Sequence, residues 1–309
     1  MSAIDFKKIS TMTAAVTVKF YTLTAAAKTK TNLIKLKENK NMACRNAYKT
    51  RISEVENIAP VASASIPEVA KNVDRLLFGA DSATQASDLL QNNIDHFEWI
   101  VRNKIYPNFC GRYISGENRL TKEEIAFIHG KGCKIAAMYT CSDEKNTEEQ
   151  GVIVAKKVNV CIAELGIPEG TAIFLEIGDN ETANRDFMRG FAKALIAEGY
   201  TPGFIANTDA KFSFDREYSR GIQSDKEIFE RCLIWAKAPT VKEYDGITTS
   251  HLIHPDNWMP FAPSGITRNA IAVWQYGTKC HPIEDDEGEM TMFNLDLVRN
   301  EKVIIEKMF

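Results

Sequence analysis

Apolar residues along this chain fall into short unbroken runs, separated by stretches with helical spacing. RLLFGAD (75–81), NFCGRYI (108–114), KIAAMYT (134–140), TAIFLEIGD (171–179), TPGFIAN (201–207), CLIWAKA (232–238) and AIAVWQYG (270–277) read as strands. Their apolar positions are not separated by polar ones. That is the pattern of strands buried on both faces, hence of parallel strands covered by helices. Residues 85–103 carry helical spacing (Leu89, Ile94, Phe97, Ile100, Val101). Residues 120–132 open on Thr121 with Glu124 three positions later, a capping-box pattern, and end at glycine. Helices are also predicted over 147–166, closed by Gly166 and Pro168, and over 183–198, closed by Gly199. Five strand–helix alternations, followed by strands with weaker helices, predict an α/β fold of the TIM-like β/α barrel type rather than an open sheet. The stretch GADSAT after the first strand lacks both phosphate-loop spacings, so a nucleotide-binding fold loses ground.

The first 70 residues read differently. VTVKFYTL alternates like a strand, NLIKLKENK suits either strand or helix, and IAPVASASIPEVA has the Pro, Ala and Ser content of a linker. A boundary near residue 70 therefore separates an N-terminal segment (1–70) from the barrel (71–309). Charge sharpens the division. The whole chain is near neutral at −3, but residues 1–51 hold eleven Lys or Arg against Asp5 and Glu38, a net +9, which leaves −12 for the rest. Residues 7–51 are thus the expected contact for an anionic surface, a nucleic acid or another subunit. Apolar content of 44% and charged content of 26% exclude disorder over most of the length.

Residues 13–27 come closest to a secretory signal, but Lys19 interrupts the apolar run. No run is long enough for a transmembrane helix. Cytoplasmic synthesis is expected, with any export through a dedicated machine or phage-associated release. The seven cysteines form no CxxC pair, and most sit in apolar runs, which reads as reduced, buried thiols. No Cys or His shows ligand spacing, so neither a metal nor a cofactor is expected.

In a parallel barrel the chemistry lies at the C-terminal strand ends. Those ends supply Asp81, Arg112, Tyr113, Tyr139, Glu176, Asp179, Trp235, Trp274, Gln275 and Tyr276. Acids on different strands among aromatics and an amide describe a carbohydrate cleft, because carboxylates supply both acid and nucleophile or base in glycoside hydrolysis. Blander readings exist for several. Asp81 suits a helix cap, Arg112 an ion pair, and Trp235 and Trp274 core packing. Glu176 inside an apolar strand is the hardest to dismiss, since an interior acid must be paired or lie at a polar site.

The order FGAD, FCGRYI, LTKEEIAFIHGKGCKIAAMY, GIPEGTAIFLEIGD, ALIAEGYTPGFIAN, LIWAKA, AVWQYG resembles a glycoside-hydrolase-like domain, formerly a domain of unknown function, related to family 25 lysozymes. The resemblance covers roughly residues 75–300. It implies eight strands, an incomplete set of helices late in the chain, and a cleft facing cell-wall glycan. It makes Asp81, Glu176 and Asp179 the catalytic candidates, with Arg112, Tyr113, Tyr139, Trp235, Trp274, Gln275 and Tyr276 on the substrate. Two departures stand out. Where the lysozymes carry Asp-x-Glu, this chain has Glu176-Ile177-Gly178. Where relatives show Asp-x-Asn after the last strand, it has Asn294-Leu295-Asp296.

Three functions are compatible with this reading. One is a glycosidase acting on peptidoglycan or a related polysaccharide. The second is a degenerate barrel, serving as a glycan-binding or structural module of a phage or cell surface and attached through its basic arm. The third is an unrelated barrel enzyme with a phosphate-binding turn, for which Gly277 alone is weak support.

Overall fold

The computed structural model describes residues 76–89, 93–102, 106–241, 244–247, 255, 257–266, 268–282 and 293–309. The basic segment with its 7–51 contact, the linker, the boundary near residue 70 and Cys44 lie outside the described residues. The strands are β1 (Leu77–Ser82), β2 (Phe109–Tyr113), β3 (Lys134–Tyr139), β4 (Ala172–Glu176), β5 (Thr201–Asn207), β6 (Leu233–Val241), β7 (Tyr244–Ile247), β8 (Ile271–Pro282) and β9 (Phe293–Val298). β1 to β6 pair in parallel in chain order, and β6 pairs in parallel with β8. β9 runs antiparallel between β8 and β1 and closes an eight-stranded barrel. The expected TIM-like barrel is therefore present, with one change. AIAVWQYG is not the last strand, and the strand that closes the ring is antiparallel. β7 continues the line of β6 along β8, beyond the barrel proper.

The helices are α1 (His96–Arg102), α2 (Lys122–Gly130), α3 (Glu148–Leu165), α4 (Arg185–Ala197), α5 (Ser213–Ser224), α6 (Lys226–Phe229) and α7 (Glu301–Lys307). Thr147 and Gln150 form a reciprocal capping box on α3, and Gly166 ends that helix in the left-handed conformation (φ 72°). At α2 only half of the expected box forms. Thr121 accepts the Glu124 N–H, but the Glu124 carboxylate turns away to Arg112 and the Ala86 N–H. α1 begins at His96 rather than at residue 85; Ala86 and Ser87 form a turn, and Leu89 bridges Asp95.

α3 and α4 cross at two glycines. A Cβ on Gly151 would lie 2.1 Å from the Phe187 carbonyl oxygen, and one on Gly190 2.1 Å from that of Glu148. Alanine favours helix by up to about 1 kcal/mol over glycine. Overpacking against backbone costs about 1–3 kcal/mol and wins here. Gly190→Ala is therefore expected to lower the urea midpoint. A midpoint equal to or above that of the parent protein would show that the two helices can separate at no cost.

Side chains alternate between two cores. The outer one, between strands and helices, holds Ile135, Ala137, Ile173, Leu175, Phe204 and Ile234 against Val154, Val158, Phe187 and Phe191. The barrel interior holds Leu77, Phe109, Ala136, Met138, Ala172, Phe174, Ile205 and Trp235. Its aromatics fit because inward positions opposite them are glycine. A Cβ on Gly79 would strike the Phe109 ring, on Gly111 Trp235, and on Gly203 Phe174. Ile304 of α7 and Met308 join the interior cluster, while Phe309 exchanges two backbone hydrogen bonds with Ile135.

His96 is buried edge-on to Phe293 at 5.4 Å. Burial first, and the Arg112 charge second, push its imidazole from 6.5 down to about 4. The unfolded chain takes up this proton below 6.5 and the folded one does not, so the stability is present above that pH and lost as pH falls toward 4. The loss is about 3 kcal/mol. Urea midpoints at pH 7.5 and 4.5 should differ less in His96→Leu than in the parent; the same difference in both would exclude this group.

Among the described residues no helix is long and apolar enough to cross a membrane, and no three His, Cys, Asp or Glu gather as a metal site. The six described cysteines are free thiols, four of them buried.

Candidate functional site

At the C-terminal end of the barrel the inward positions are polar. They are Asp81 on β1, Tyr113 on β2, Glu176 on β4, Lys237 on β6, Gln275 on β8 and Asn294 on β9. Tyr113 Oη donates to Glu176 Oε2 at 2.6 Å, and Lys237 Nζ donates to Glu176 Oε1 at 3.3 Å. Lys237 also lies 3.5 Å from Asp179 Oδ1. The Glu176 side chain keeps 26% of its surface open and that of Asp179 48%.

Asp81 differs. It is only 2% exposed and accepts Asn294 Nδ2 on one oxygen and Gln275 Nε2 on the other, each at 2.8 Å. Burial raises its carboxyl above the ordinary range and the Glu176 charge adds to this, while the amide donors pull it down. Burial, then the charges of Glu176 and Asp81, likewise push the Tyr113 hydroxyl up, so it stays a hydrogen-bond donor. One layer below, Trp235 Nε1 donates to Asp296 Oδ1 at 2.9 Å, and its ring meets Phe174 and Phe109 edge-on.

β4 ends at Glu176, so strand alternation no longer governs Asp179, and its carboxylate returns to the mouth beside Lys237. Gly178 follows two positions after Glu176. Its N–H donates to Glu181 Oε2 at 2.9 Å, and that carboxylate also holds Lys145 at 3.0 Å. Burial works against ionisation of Glu181, but the Gly178 N–H and Lys145 outweigh it and bring the group below the ordinary range.

The structure thus brings Asp81, Tyr113, Glu176, Asp179 and Gln275 together. It does not bring the other five candidates to the mouth. Arg112 faces outward from β2 and is buried. It bonds Glu124 Oε1 at 2.7 Å and Oε2 at 3.2 Å, the Asn118 carbonyl at 2.8 Å and the Ser82 carbonyl. Tyr139 packs in the outer core. Trp274 also faces outward, where Nε1 donates to the Ala238 carbonyl at 2.9 Å and the ring meets Trp258. Tyr276 is buried in the same outer cluster. Trp235 is an interior floor residue with no exposed surface. Arg112 thus sits in a buried ion pair, and both tryptophans pack in the core. For Arg112, Tyr139, Trp274 and Tyr276 the reason is parity, since each outward residue is a sequence neighbour of an inward one, whereas Trp235 points inward but is wholly buried below the mouth.

Lys237 and the inward setting of Asp296 were missed. Lys237 stands two positions after Trp235, so reading every second residue of LIWAKA would have found it. The mouth is consequently not a purely acidic cleft, because Lys237 offsets the charge of Glu176 and Asp179.

The Rv2525c-like, glycoside hydrolase-like domain matches over residues 104–297. No curated protein matches the chain. Among solved structures, an uncharacterized B. stearothermophilus protein is 23% identical with a TM-score of 0.59, over 75% of this chain and 100% of that one. The Clostridium perfringens spore cortex lytic enzyme SleM is 12% identical with a TM-score of 0.43, over 72% of this chain and 67% of its own. A family GH25 lysozyme from Aspergillus fumigatus is 10% identical with a TM-score of 0.41, over 73% and 95%. The first of these shares the barrel fold, and with most of the chain covered by the domain match, this protein belongs to the Rv2525c-like, glycoside hydrolase-like domain family.

Proposed function

We propose that the barrel mouth binds a peptidoglycan-type glycan and hydrolyses a glycosidic bond there, with Glu176 as the reacting carboxylate. The observation that carries this reading is the setting of Glu176. It stands at a strand end, open to solvent, with Tyr113 fixing one oxygen and a buried acid, Asp81, beneath it. Asp179, tethered through Lys237, supplies the second accessible carboxylate that glycoside hydrolysis requires. Asp81 has both oxygens occupied, so its part is electrostatic, as a negative charge under the oxocarbenium-like transition state. Membership of a glycoside hydrolase-like family supports a glycan as the ligand. The narrower choice of peptidoglycan rests on the resemblance to family 25 lysozymes.

One observation favours a second reading. Glu176 is already engaged by Lys237, and the resemblance to the lysozymes puts Gly178 where they carry their acid. A barrel so arranged would bind glycan without cutting it. Incubation with purified peptidoglycan separates the two. New reducing ends are expected from a hydrolase, whereas cosedimentation without reducing ends, at high protein concentration, sinks catalysis and supports binding alone. Neither release nor cosedimentation would remove the glycan reading.

A further inference from the structure

Asp296 is fully buried and has no part in the reaction proposed above. β9 sets its place. Asp296 pairs with Gly79 on β1 and with Gln275 on β8, while Asn294, two positions earlier, pairs with Asp81. Asp296 and Asp81 are therefore diagonal neighbours on the inner face. Asp296 Oδ1 accepts the Trp235 indole N–H, and among the described residues no donor reaches Oδ2. Both Asp81 oxygens already accept amide N–H groups.

Among the described residues, the charged and titratable groups around the pair offer no direct compensation. Glu176 on β4 is a further negative charge, and Tyr113 on β2 turns its hydroxyl to Glu176. Lys237 on β6 is engaged by Glu176 and Asp179, and Arg112 on β2 by Glu124. Tyr276 and Cys280 on β8 are neutral, held up by burial. Among the described residues neither Asp81 nor Asp296 has an ion-pair partner. Two adjacent buried carboxylates without a cation cannot both ionise. The donor pattern decides where the shared proton sits, because both Asp81 oxygens already accept N–H groups and, among the described residues, no donor reaches Asp296 Oδ2.

We propose that Asp296 is a positioning residue that keeps a proton on Oδ2 and donates it to Asp81, so that the pair carries one negative charge, located on Asp81. Burial and the Asp81 charge, which hold the Asp296 carboxyl well above the ordinary range, agree with this assignment. The pair acts as a single fixed charge one layer below Glu176. This holds whether or not a glycan is cut.

Proton release on unfolding tests it without any activity measurement. At pH 7, calorimetry of the full chain in buffers of different ionisation heat should show one more proton released per molecule than for Asp296→Asn, because Asp296 ionises only when unfolded. His96 contributes alike to both proteins. The asparagine keeps a donor for Asp81, so the variant is expected to fold. Equal release from the two proteins overturns the proposal. The wild-type protein alone gives a second readout. With carboxyl-13C aspartate, one neutral carboxylic acid signal is expected at pH 7, and it is absent in Asp296→Asn. A spectrum in which every aspartate of the folded wild type is ionised, or an acid signal that survives in the variant, overturns it as well.

Discussion

Arg112→Met is expected to lose about 3–5 kcal/mol of folding stability, the usual result of removing one member of a buried ion pair. Arg112 bonds both Glu124 oxygens and the carbonyls of Asn118 and Ser82. Glu124 also accepts the Ala86 N–H at 2.7 Å. The cluster thereby ties β1, β2, the loop before α2 and the turn after β1 together. Methionine fills much of the volume but leaves the Glu124 carboxylate charged and unpaired. The check is urea unfolding followed by fluorescence and circular dichroism, read as a change in midpoint at constant slope. A loss below about 1 kcal/mol, the range of an exposed pair, would mean that water reaches Glu124.

Glu176→Gln should reduce reducing-end release from peptidoglycan by about 10²–10⁴, the usual contribution of a positioned acid or base. Glutamine keeps the shape and still accepts from Tyr113, so cosedimentation with peptidoglycan should be retained. Release that is unchanged from an active wild type would remove Glu176 from the chemistry. Asp179 would then be the acid to examine, since it is the more open of the two carboxylates beside Lys237.

Much of the scaffold was legible in the sequence. The first six strands are continuous apolar runs, and the helices between them carry clear starts and stops such as Thr121, Thr147 and Gly166. β9 was not legible for a physical reason. In FNLDLV the residues that face the barrel interior are Asn294 and Asp296, while Phe293, Leu295 and Leu297 pack outward. A polar interior position looks like a solvent-facing one when only the alternation is available. α5 was hidden differently: SFDREYSRGIQS is mostly polar, and only Phe214, Tyr218 and a few neighbours are buried.

The candidate site divided along the same line. Asp81, Tyr113, Glu176 and Gln275 point inward at the strand ends, whereas Arg112, Tyr139, Trp274 and Tyr276 point outward. All eight lie at the right height on the right strands. What separates them is which way each side chain points. In a strand buried on both faces, nothing in the pattern of apolar residues says which face is the barrel interior and which is the helix layer.

The sequence by itself determined that the apolar runs are doubly buried, mostly parallel strands and that acids and aromatics stand near their C-terminal ends. Local pattern suffices for these, because burial and helix capping act on residues near in the chain. Only the tertiary structure decided the inward set, the antiparallel closing strand, the cation between Glu176 and Asp179, and the carboxyl pair of Asp81 and Asp296. Each of these depends on ring closure, which fixes the register of β9 against β1 and β8 and brings together side chains more than 200 positions apart.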